Sequence, residues 1–96
     1  MTFPAHPLSC SSRHLEQAVL ARYRQLAPEF PPDCRLHREI WNRSTVLCLD
    51  CGDCPQSLGR LQTQLADLLA LAARFHLAQA ISLRLGQKAV AWQTAP

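Results

Sequence analysis

Ninety-six residues, 48% of them hydrophobic and 18% charged, suffice for one domain with a small core and exclude both a disordered tail and a second domain. The formal net charge is only +3, too weak an excess to form a basic stripe, and it argues only faintly for nucleic acid, which is not the expected partner. Nine of the ten basic residues are arginine, the cation better suited to paired contacts with carboxylates.

The N-terminal residues carry no basic, apolar leader pattern. The longest apolar stretch, Leu65 to Ala73, is interrupted by Asp67 and falls far short of the roughly 20 residues that span a bilayer. A cytoplasmic protein is expected. In that compartment thiols stay reduced, so five cysteines read as free thiols, metal ligands or redox groups.

In chain order, residues 1–10 form an irregular arm punctuated by Pro4 and Pro7, and residues 11–94 form a single α+β domain. Ser11 or Ser12 caps a first helix whose buried stripe is Leu15, Ala18, Val19, Tyr23 and Leu26. Pro28 ends that helix, and a stiff proline-rich connector leads to Cys34. There the period switches to alternation. Leu36, Arg38 and Ile40 share one side of a strand, with His37, Glu39 and Trp41 on the other. Asn42-Arg43 makes a tight turn into a second, more buried strand over 44–50.

The next stretch, Cys48-Leu49-Asp50-Cys51-Gly52-Asp53-Cys54-Pro55, carries most of the distinctive chemistry. A helix follows over about 55–75, with Leu58, Leu61, Leu65, Leu68, Ala72 and Phe75 three and four apart and with Asp53 and Pro55 as start signals. His76 is expected to meet the terminal carbonyls. Two alternating runs around Gly86-Gln87 close the chain as a hairpin. The order is therefore α-β-β-α-β-β: two helices packed on a largely antiparallel four-stranded sheet.

Cys48, Cys51 and Cys54 stand at C-x2-C-x2-C with proline after the last. This resembles the run by which bacterial ferredoxins hold an iron–sulfur cluster, except that no fourth cysteine follows. An iron–sulfur site built on these three needs a fourth ligand from Cys34, Cys10 or His37, and zinc would accept Cys51 and Cys54 with Cys34 and His37 in a tetrahedral set. Cys51-Gly52-Asp53-Cys54, after a strand and before a helix, also resembles the placement of the thioredoxin-like reactive pair. Against a dithiol, that fold requires a parallel strand after the helix, whereas this chain reads as hairpins. Cys48 between Leu47 and Leu49 equally suits a small core position.

Nucleotide-binding, nucleophile-elbow and zinc-protease motifs are all missing from the sequence, and Asp50 and Asp53 read as helix-start residues rather than an acid–base pair. Trp41 and Trp92 near strand ends, with Arg38, Arg43 and Arg84, suggest a docking surface on the sheet. The expected function is thus that of a small non-catalytic accessory or regulatory protein, without cofactor, that binds a larger protein partner through those residues. The alternative is a zinc, iron–sulfur or dithiol protein using Cys48, Cys51 and Cys54 with Cys34 or His37.

Overall fold

The computed structural model describes residues 5–27 and 30–95, with side chains from Arg13 onward. Helix α1 spans Ala5–Leu26, strand β1 Arg35–Trp41 and strand β2 Ser44–Asp50. A 3-10 turn over Pro55–Ser57 leads into α2, Leu58–Thr63, and α3, Leu65–Arg74, followed by β3, Ala80–Leu85, and β4, Lys88–Thr94. The expected order α-β-β-α-β-β holds, with helices on a four-stranded sheet.

Three features differ from expectation. α1 starts at Ala5 rather than at a Ser11 or Ser12 cap, and Pro7 fits in its first turn because the N–H groups there have no intrahelical acceptor. The second helix is two helices hinged at Gln64, whose N–H is shared between the Arg60 and Leu61 carbonyls at 3.2 and 3.1 Å. The sheet is mixed. Its order is β1-β2-β3-β4, with antiparallel outer pairs and a parallel central pair, β2 with β3. The segment between Asp50 and Ala80 is long enough to carry the chain back to the starting end of the sheet, which parallel pairing requires.

Two tight turns set the outer hairpins. Asn42 and Arg43 both take positive φ, 49° and 73°, the mirror-image turn whose twist matches that of the strands it joins. It fixes the register Trp41↔Ser44 through Arg35↔Asp50. At the other hairpin Gly86 has φ 64°. His76 closes α3 with its backbone: at φ 57° its N–H donates to Ala73 O (3.0 Å) and that of Leu77 to Ala72 O (2.8 Å), a helix stop that usually uses glycine.

The main core lies between the helices and one face of the sheet. Leu47, Leu49, Ile81 and Leu83 meet Leu61, Leu65, Leu68, Leu69 and Ala72, with Tyr23 of α1 and Ala27 just beyond it at the side. The Tyr23 hydroxyl donates to Leu68 O at 2.7 Å, so its burial leaves no unpaired polar atom. The alternate residues of β2, Val46 and Cys48, are buried on the other face with Ala80 and Trp41. β2 is thus covered on both sides, as its run of apolar residues anticipates.

Candidate functional site

Among the described residues, the buried cluster on the second sheet face contains no helix residue. The strand register places His37, Cys48, Ser82 and Trp92 in one row across it. Over this row lies a network centred on Glu39. Arg84 forks onto its carboxylate, with Nη1 donating to Oε2 at 3.0 Å and Nη2 to Oε1 at 2.7 Å. Trp41 Nε1 donates to Oε1 at 2.9 Å, and His37 Nε2 lies 2.8 Å from Oε2. The Arg84 guanidinium also stands over the Trp41 ring, 5.7 Å from its centroid, a favourable seat for a planar cation. Donors from Arg84 first, then Trp41 and His37, pull the Glu39 carboxyl down to about 2. Beneath this lid the hydroxyl of Ser82 and Nε of Arg84 are buried without a partner.

This arrangement divides the expected docking residues. Arg84 and Trp41 are engaged within the sheet, and Trp92, 64% exposed, is the large apolar group that this face presents. Arg43 stands exposed in the hairpin turn. Arg38 points the other way, toward α1: it is paired with Glu16, Nε donating at 2.8 Å, and its Nη1 donates to Leu77 O at 2.9 Å. Successive strand residues alternate faces, so Arg38 cannot share a surface with Trp41.

The same alternation separates the cysteines. Cys48 lies under the open face, within 4.8 Å of donor atoms of His37 and Glu39, and burial pushes its thiol up to about 11. Cys51 is three residues further on and falls on the helix side. The C-x2-C-x2-C run is therefore not one site. Cys51 and Cys54 instead meet Cys34, the three sulfurs lying within 4.8 Å of one another and each residue no more than 1% exposed. His37 is not part of this group. The side chain of Cys10 lies outside the described residues.

Backbone bonds hold each corner of the thiol cluster. Cys54 N–H donates to Cys51 O at 3.0 Å, closing the Gly52-Asp53 turn, and Cys51 N–H donates to Arg84 O at 2.8 Å. Cys34 N–H donates to Pro31 O at 3.2 Å. Arg24 clamps that turn: Nη1 donates to Pro31 O at 3.0 Å, Nη2 to Cys34 O, and the guanidinium stacks over Phe30 at 5.0 Å. Burial raises the Cys34 thiol strongly and pushes Cys51 up to about 11.

Asp50 and Asp53 brace the cluster rather than start a helix. Asp50 Oδ1 accepts the N–H groups of Gly52 (2.8 Å) and Gly86 (2.9 Å), tying the cysteine turn to the far hairpin. A Cβ at Gly52 would stand 3.2 Å from Asp50 Oδ1, a tight contact that presses on the carboxylate accepting these two bonds. Asp53 pairs with Arg35 at 2.8 Å, and no side chain caps the 3-10 turn or α2. The parallel β2–β3 pair removes the topological objection to a thioredoxin-like pair. The burial and raised pKa of Cys51 still oppose a reactive thiolate, which needs a lowered one and some exposure.

A third feature escaped the sequence reading. Leu15 (66% exposed), Leu26 (39%) and Phe75 (48%) were expected to be buried, yet they are three of the five exposed large hydrophobics among the described residues. All three line one groove of about 390 Å³ between α1 and the end of α3, with Val19, Leu77 and Arg22 also in its lining. Leu15, Ala18, Arg22 and Leu26 recur at helical spacing, so periodicity finds the stripe but not whether anything covers it.

Among the described residues no helix is long and apolar enough to cross a membrane. No known protein family, curated protein or solved structure matches this chain.

Proposed function

We propose that this protein is a small, non-catalytic accessory or regulatory protein that docks onto a larger protein partner, and that the groove between α1 and Phe75 takes an amphipathic helix of that partner. The observation that carries the reading is the convergence of Leu15, Leu26 and Phe75 on one groove. Apolar side chains scattered singly over a surface need no explanation, whereas three that line one groove offer a partner a common seat. From Leu15 to Leu26 the stripe runs about 16 Å along α1 at 1.5 Å per residue, a match for about three turns of a docked helix. Arg22, exposed in the groove's lining, suits an acidic residue beside the partner's apolar stripe. Of the Trp/Arg sheet surface expected from sequence, Trp92 is retained as a contact of the same partner on the open face.

Site-specific photo-crosslinking tests this in cells of the source organism. A photoreactive residue at Leu15 or Phe75 is expected to trap one and the same protein, and Leu26→Glu is expected to abolish trapping while far-ultraviolet circular dichroism stays unchanged. A probe at exposed Gln62 serves as the control. No adduct from either groove position, or the same adduct from Gln62, defeats the reading. An adduct of twice the chain mass would replace the foreign partner with a second copy and defeat it equally.

A further inference from the structure

We propose that Cys34, Cys51 and Cys54 form a structural site for one divalent thiophilic ion of the zinc class, bound through three thiolates and balanced in charge by Arg24. The site is independent of the groove. Three sulfurs within 4.8 Å of one another already approximate the spacing that sulfur ligands adopt around a zinc ion, where each bond is about 2.3 Å. They arrive from two backbone turns and not from a single strand run. Cys51-Gly52-Asp53-Cys54 is closed by its own 3.0 Å hydrogen bond, and Cys34 ends the Pro31 turn, so both corners are set before any ion enters.

Thiolates select soft ions, and charge selects among those. Three thiolates bring −3; a divalent ion leaves −1, and the Arg24 guanidinium, bonded to the Cys34 carbonyl, brings the sum to zero. A monovalent ion would leave net negative charge in a cluster no more than 1% exposed, which is costly. Structural zinc is four-coordinate; the described residues bring three sulfurs together, so a water or small anion completes the set, whereas an iron–sulfur cluster takes four cysteines. Cys48, which the sequence spacing groups with this pair, lies beneath the other face of the sheet. Binding converts three S–H groups to three S–metal bonds and releases three protons per ion. Burial of the thiols makes the site a clamp on the open end of the β1–β2 hairpin and not a catalytic centre.

The test is anaerobic titration of reduced, metal-free full-length protein with Cd2+ and with Zn2+. Expected are one equivalent bound per chain, sulfur-to-cadmium charge-transfer absorbance, three protons released per ion in weak buffer, and three sulfur neighbours by X-ray absorption. Cys34→Ala and Cys51→Ala are expected to weaken binding at least tenfold, and Cys48→Ala to leave it unchanged. No uptake by folded wild-type protein, uptake of Cu+ alone, or loss of binding in Cys48→Ala equal to that in Cys34→Ala would overturn the proposal. Should the cysteine variants fail to fold, the sulfur count and the proton count on wild-type protein decide it alone.

Discussion

Cys34 and Cys51 face one another at the open end of the β1–β2 hairpin, one step beyond the paired Arg35 and Asp50, and their sulfurs share a buried cluster with that of Cys54. The register that joins them is set at the opposite end, where Asn42 and Arg43 turn the chain. Several properties of the molecule depend on such placements, and each can be measured.

The turn itself stores strain. Arg43 at φ 73° and His76 at φ 57° occupy the left-handed region, which costs an L-residue with a Cβ about 1–2 kcal/mol. Glycine removes that cost and adds back some unfolded-chain entropy. Arg43→Gly and His76→Gly are each expected to raise stability by about 0.5–1 kcal/mol. Urea denaturation with an unchanged slope checks this, and a lower midpoint for both variants would refute it.

Asp50 is expected to hold the cysteine turn against the β3–β4 hairpin. Its Oδ1 is the acceptor for two backbone N–H groups, at Gly52 and Gly86. Asp50→Ala should cost about 1–2 kcal/mol, within the range for removing an acceptor from backbone donors. Hydrogen exchange at those two amides should accelerate more than at the amides of α3.

Acid sensitivity should report on Glu39. Its carboxyl is held at about 2 by Arg84, Trp41 and His37, below the usual carboxylate value. A folded pKa below the unfolded one contributes stability that is fully present above the unfolded value, near 4.3, and is lost as pH falls toward 2. Wild-type protein is therefore expected to lose stability through that window more steeply than Glu39→Gln, as read from denaturation midpoints at pH 5, 4, 3 and 2.5. With Glu39 about one-third exposed, solvent screens part of the effect. Parallel pH profiles would show that the fork is without thermodynamic weight.

Tyr23 tests how α1 is attached. Its ring is 1% exposed and its hydroxyl donates to Leu68 O. Tyr23→Phe keeps the packing and removes one buried bond, for an expected loss of about 1 kcal/mol. Tyr23→Ala empties the site and should cost about 3–5 kcal/mol. Leu15→Ser, at an exposed position on the same helix, should change stability by no more than about 0.5 kcal/mol. Thermal or chemical denaturation of the three variants gives the ranking directly.

By itself the sequence determined the α-β-β-α-β-β order, the alternation of β1, the burial of β2 and the turn at Asn42-Arg43, because each follows from local periodicity and turn chemistry. That turn also implies the hairpin register, and strand alternation implies that Cys48 and Cys51, three apart, lie on opposite faces; here the linear spacing of cysteines misled. Tertiary structure decided what local pattern cannot contain. The crossover between β2 and β3 made the central pair parallel, Arg38 found Glu16 while Arg84 found Glu39, and the seat of α1 left Leu15, Leu26 and Phe75 exposed. The physical reason is that periodicity specifies which side chains share a face, whereas burial and ion pairing depend on which other element reaches that face.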